Sequence, residues 1–109
     1  MPPYYLGEFE QLVLLAVLKL DDRATGAAIR EAVEDARRRR VWIGAIYTTL
    51  QRLEDKGFVR AAVIAASPEG RRPRKIYALS AHGRAAVAQA VETWARMMRG
   101  LKPKLETLP

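Results

Sequence analysis

Residues 41–59, VWIGAIYTTLQRLEDKGFV, allow few local structures. Ile43, Ile46, Leu50 and Leu53 recur at steps of three and four, which places them on one face of a helix. The other face carries Gly44, Ala45, Thr48, Gln51 and Arg52, all small or polar, and no carboxylate until Asp55. Gly57 then predicts a C-terminal cap, because glycine adopts the left-handed conformation at little cost. Phe58 and Val59 open an extended run. A helix from about Ile43 to Lys56 therefore needs a core on one side and a use for the other.

The 109 residues suffice for one domain with a single modest core. Glu8–Leu20 is apolar nearly all round, so as a helix it must be buried on most sides. In so short a chain, that predicts cover from a second subunit. Thr25 is placed to cap a second helix, with Ala28, Ile29, Ala32, Val33 and Ala36 at helical spacing. This helix is expected to fray into Arg37, Arg38, Arg39 and Arg40, a run that reads as a solvated surface or as a phosphate contact. Trp42 is expected to pack against the second helix.

Phe58–Ala65 and Lys75–Leu79 have strand composition, and SPEGRRPR between them is a turn-rich loop bearing three arginines. Two strands alone are marginal, so the hairpin must pack on the helices. Ser80 is a cap for a last helix, in which Val87, Val91, Trp94, Met98 and Leu101 form a short heptad seam. With Leu12 and Leu15 of the first helix, that seam is the expected dimer interface. The closing LKPKLETLP holds two prolines and is expected to be loose.

The net charge of +7 is unevenly placed. Residues 1–36 hold three basic and seven acidic side chains, a balance of −4, while residues 37–84 hold twelve and three, a balance of +9. A positive field centred on the carboxylate-free helix is the footprint of a polyanion-binding face. Other chemistry lacks residues. Cysteine is absent, which excludes disulfides and thiolate sites. His82 is the sole histidine, so neither a metal cluster nor a Ser-His-Asp hydrolase has support. No phosphate-binding glycine loop occurs. Glu54 suits an ion pair with a nearby arginine better than acid–base catalysis. The apolar run Leu12–Leu18 is far short of the roughly 20 residues that span a bilayer. These features predict a soluble, cytoplasmic protein that is no enzyme and needs no cofactor or metal.

Three helices, a basic hairpin and a further helix follow the order of a winged helix-turn-helix. The expected fold class is mostly α with a small β-hairpin, the last helix serving dimerisation. A recognition helix enters a groove about 12 Å wide, so its leading residues must be small. Gly44 and Ala45 meet that need, Thr48 and Gln51 can hydrogen-bond to base edges or phosphates, and Arg52 can reach either. Tyr47 borders the two faces, with its hydroxyl in reach of a phosphate. Arg71, Arg72 and Arg74, with Lys75 beside them, would project from a turn pinned by Gly70 and Pro73 towards a narrow minor groove.

Ile43–Gly57 resembles the recognition helix of the PadR family of bacterial transcriptional regulators. Gly70–Ser80 is similar to that family's wing, and Leu14-Leu15 with Thr25-Gly26 to its first two helices. The likeness spans roughly residues 5–100. It implies a DNA-binding unit at 5–80, a dimerisation helix at 81–101 and a flexible tail at 102–109. It further implies a homodimer on double-stranded DNA, bound to an inverted-repeat operator and most often repressing. Some members bind flat aromatic effectors at the dimer interface. Trp94 is the residue to meet one here, its plainer reading being a core or interface aromatic. The chain departs from the pattern in stopping after one C-terminal helix and in its Arg37–Arg40 run. Two other readings stay open on the residues: a winged-helix protein-interaction module, and a nonspecific nucleoid-type DNA binder.

Overall fold

Val13, Leu14 and Val17 of one helix, Ile29 and Val33 of a second, and Ile46, Leu50 and Leu53 of a third are almost completely shut off from solvent. Their stripes converge on one core, the centre of a computed structural model that describes residues 6–109. The expected domain start at residue 5 lies outside the described residues. The elements are α1 (Glu8–Leu20), a 3-10 turn (Asp21–Arg23), α2 (Gly26–Arg37), α3 (Ile43–Asp55), β1 (Val59–Ile64), β2 (Arg74–Leu79), α4 (Ala81–Met98) and α5 (Lys102–Glu106). Mostly helical with one antiparallel hairpin, the chain has the expected winged-helix class.

Local chemistry sets the boundaries. Thr25 Oγ1 accepts from the Ala28 N–H at 3.1 Å and starts α2. α2 does not fray into the arginine run. Arg38 takes a left-handed conformation, φ 59°, and donates its N–H to the Glu34 carbonyl at 2.8 Å, closing the helix sharply. α3 ends in a Schellman turn: Gly57, at φ 81°, donates to the Glu54 carbonyl and Phe58 to the Leu53 carbonyl. Because the Phe58 N–H is spent there, β1 begins one residue later than composition suggests.

β1 and β2 pair antiparallel, Val59 opposite Leu79 and Ile64 opposite Arg74. Val59, Tyr77 and Leu79 point into the core. The Tyr77 N–H also donates to the Ala24 carbonyl at 2.9 Å, which ties the hairpin to the segment after the 3-10 turn. Ser80 caps α4, its Oγ accepting from the Gly83 N–H at 3.0 Å while donating to the Gly57 carbonyl. A Cβ on Gly83 would have no room against the Phe58 carbonyl, so α4 starts in direct contact with the end of α3.

Only the first third of α4 belongs to this core, through Gly83, Ala86 and Val87. Every residue from Val91 to Gly100 is exposed. The radius of gyration, 16.1 Å, exceeds the roughly 13 Å of a compact chain this long, and the projecting α4 accounts for the excess. α4 stops at Met98, and Gly100 turns the chain at φ 78°. Leu101, expected as the last step of the seam, therefore caps α5 instead. Residues 102–106, expected to be loose, form that short helix. Pro103 falls in its first turn, where its missing N–H costs nothing.

One polar contact crosses the core's edge. Glu10 of α1 is 9% exposed, accepts from the Gly7 N–H at 3.1 Å and pairs with Lys56 Nζ at 3.0 Å, just past α3. Burial pushes the Glu10 carboxyl up, but the Lys56 hydrogen bond, the Gly7 N–H and the charges of Lys56 and Arg52 outweigh it, and its pKa is lowered. A carboxyl with a depressed folded pKa adds stability above its unfolded pKa and loses it as pH falls through the folded one. Replacing Lys56 by Met should therefore lower the melting temperature at pH 7 and shrink its further fall below about pH 4. Thermal melts from pH 7 to pH 3 check this; parallel curves for variant and wild type would remove the pair from the stability of the fold.

Candidate nucleic-acid interface

On α3 the core takes Ile46, Thr49, Leu50 and Leu53 and leaves Tyr47, Thr48, Gln51 and Arg52 exposed. Gly44 and Ala45 are half-buried. Gly44, Thr48, Gln51 and Asp55 follow one another along a single stripe at helical spacing. The Gln51 side-chain amide donates to Asp55 Oδ1 at 3.0 Å, so its carbonyl oxygen stays open to a further donor. Tyr47 lies across α2: a Cβ on Gly26 would come within 2.5 Å of its ring and hydroxyl. That glycine seats the ring at the border of the two faces.

Gly44 has an unforeseen neighbour. A Cβ there would sit 2.6 Å from the Trp42 ring, so the indole folds over the glycine. The expected packing of Trp42 on α2 is not observed. Trp42 is 77% exposed and starts α3 without a side-chain cap. Glu34 sets the turn before it. Its Oε2 accepts from the Val41 N–H at 2.8 Å and stands 3.5 Å from Arg30 Nε. The i to i+4 spacing of Arg30 and Glu34 was legible as a helix pair. The reach of Glu34 to Val41 was not, because it depends on where the turn runs.

The wing's turn is built by Ser67, Pro68 and Gly70 ahead of Pro73. Ser67 Oγ accepts from the Arg71 N–H at 3.2 Å, Gly70 donates to the Ser67 carbonyl at 3.0 Å, and Gly70 has φ 90°. Arg71, Arg72, Arg74 and Lys75 are all exposed beyond it. None of these, nor Arg52, forms an ion pair among the described residues. The pairs lie elsewhere: Arg37 with Glu8 at 3.6 Å, its guanidinium over the Phe9 ring, and Arg96 with Glu92. Arg37 is thus drawn out of the arginine run, leaving Arg38, Arg39 and Arg40 exposed. Glu54, expected to pair with an arginine, forms no ion pair among the described residues. His82 stacks on Phe58, ring centroids 4.5 Å apart.

Of the expected seam, Val87 is buried in the chain's own core, whereas Val91 (50%), Trp94 (61%) and Met98 (49%) are exposed. Leu12 is half-buried and Leu15 exposed on α1. Between α1 and α4 lies an apolar groove of about 430 Å³, its walls including Leu12, Leu15, Val91 and Trp94. Among the described residues no helix is long and apolar enough to cross a membrane, and no acidic or histidine cluster could hold a metal ion.

A helix anchored by one face, its polar face clear, beside an unpaired basic hairpin defines the winged helix-turn-helix class. Residues 14–89 match the family described as the transcriptional regulator PadR-like family. The chain belongs to that family, and so to a class of DNA-binding transcriptional regulators rather than enzymes. Solved structures agree. RosR of H. salinarum is 28% identical, with a TM-score of 0.69 over 94% of this chain and 88% of that one. A PadR-like regulator from Bacillus cereus superposes at TM-score 0.72 and 18% identity, covering 92% of this chain and 93% of its own. A PadR family regulator from Clostridium difficile gives 0.68 at 22% identity, covering 91% and 99%. No curated protein sequence matches.

Removing the Glu34 carboxylate frees the turn that aims α3. Glu34→Ala should cost about 1–2 kcal/mol in chemical denaturation and speed hydrogen exchange at the Val41 amide. Unchanged exchange there would mean the turn is held by packing alone.

Proposed function

We propose that the chain acts as a homodimer that binds an inverted-repeat operator and represses transcription from it. The observation that carries this reading is the row Thr48, Gln51 and Arg52: exposed and free of any core role, on the helix whose other face is the core's centre. In this reading Gly44, Ala45, Tyr47, Thr48, Gln51 and Arg52 meet a major groove and its rim. Gln51 exchanges Asp55 for a base edge. Arg71, Arg72, Arg74 and Lys75 flank it from the wing. These basic side chains form no ion pair among the described residues, so phosphates can pair with them without breaking one there.

The second half of α4 supports the dimer. Val91, Trp94, Met97 and Met98 are exposed on the second half of α4, and exposed apolar patches of this kind mark association surfaces. Self-association there with two-fold symmetry would present two copies of α3 to two half-sites. A dimer seated across a promoter blocks transcription. The α1–α4 groove, with Trp94 at its wall, is of ligand size and supports release by a flat aromatic effector. A ligand wedged there would change the angle between α1 and α4, and with it the spacing of the recognition helices.

Fluorescence anisotropy with duplexes from the protein's own upstream region, against a scrambled duplex across a salt series, tests the reading. A preference on the order of 10³ for one duplex is expected. Gln51→Ala should relax that preference, while Arg72→Ala should weaken binding to every duplex and reduce the log K–log salt slope by about 0.9. Equal affinity for scrambled DNA would leave only a nonspecific binder. Val91→Glu should convert the dimer to monomer in sedimentation velocity, and a variant that stays dimeric would move the interface off α4.

A further inference from the structure

Trp42 is costly where it stands. The residue before a helix is best filled by Ser, Thr, Asp or Asn, whose side chains satisfy a free N–H, and this chain uses Thr25 before α2 and Ser80 before α4. Before α3 it places an indole that caps nothing and is 77% exposed. An indole in water also forgoes the burial that usually makes tryptophan favourable. The ring is nevertheless placed, lying over Gly44 where any side chain would displace it. Gly44 begins the stripe that continues through Thr48 and Gln51, so the indole extends that stripe past the helix's leading end. Arg39 and Arg40 line the same shallow hollow as Trp42, with Phe9, Val41 and Ala45.

Resting on the reading of α3 as the recognition helix, we propose that Trp42 is a specificity-determining residue. Its indole packs against thymine methyl groups in the major groove while Arg39 and Arg40 hold the adjoining phosphates. The leading end of a recognition helix is the part that reaches base edges, and the thymine methyl is the apolar mark there. A ring already seated over Gly44 has little freedom left to lose on binding. The arginines explain why the partner is a polyanion and not an apolar peptide: Arg37, Arg39 and Arg40 line the hollow, and among the described residues only Arg37 of the three is paired, with Glu8.

The test begins with selection of the operator from a random-sequence duplex pool by the full-length chain. Each thymine of the selected half-site is then replaced by uracil, which removes the methyl and keeps the pairing. The wild type should lose about tenfold in affinity at one or two positions. Trp42→Ser should bind the unmodified operator about tenfold more weakly, be indifferent to uracil at those positions, and melt no lower than the wild type, since serine restores a cap. Arg39→Ala should weaken all duplexes alike and leave the uracil response intact. Specific binding that Trp42→Ser leaves unchanged, or a variant still sensitive to uracil, overturns the assignment of Trp42 and spares the DNA-binding reading. A selection that enriches no sequence overturns both.

Discussion

At Gly57 the backbone turns through a positive φ, and the elements that matter for recognition are tied to the residues on either side of it. The carbonyls of Leu53 and Glu54 are closed by Phe58 and Gly57, which ends α3. Phe58 drops into the core, and its carbonyl accepts the Ser80 N–H at 3.0 Å, where β2 passes into α4. Ser80 then bonds to the Gly57 carbonyl and caps α4 with the same oxygen, while Gly83 presses on Phe58. α3, the hairpin and α4 are thereby locked at one corner. Any side chain at position 57 would strain the turn, because only glycine takes that φ cheaply. A shift at this corner would change the angle between α3 and the wing.

The electrostatics follow a matching division. The acidic N-terminal third engages three of its seven carboxylates within the molecule: Glu8 on Arg37, Glu10 on Lys56, Glu34 on Val41 and Arg30. Those pairs hold α1 and α2 against α3. What remains is a set of arginines and a lysine around α3 and the wing that form no ion pair among the described residues. Of the basic side chains behind the surplus of +9 over residues 37–84, Arg37 and Lys56 are paired with Glu8 and Glu10, and the others are exposed. Asp55, the carboxylate on the exposed stripe of α3, is engaged by Gln51.

α4 serves two masters along its length. Its first turns belong to the core, where Ala86 and Val87 pack beneath the hairpin. Its later turns carry apolar side chains into water, a state with a standing hydrophobic cost. The same helix thus links the corner at Ser80 to the exposed apolar surface around Trp94. A rigid rod between the two is a direct means for one to report on the other.

Periodicity and capping chemistry made much of this legible in the sequence. The buried stripe of α3, the caps at Thr25 and Ser80, the break at Gly57 and the basic turn after Ser67 all depend on residues close together along the chain. Local rules of helix spacing and backbone conformation therefore suffice for them, and the fold class and the polar face of α3 follow. The tertiary structure alone decided contacts between residues far apart in sequence or set by the path of a turn. Glu10 meets Lys56 because α1 crosses the end of α3. Val87 is buried in the chain's own core, while it also lines the groove between α1 and α4. Leu101 lies beyond α4 because Gly100 turns the chain. Trp42 lies over Gly44, not α2, because Glu34 fixes the turn that precedes it. Composition and spacing carry the preferences of single elements, whereas which faces meet is decided only when the helices pack.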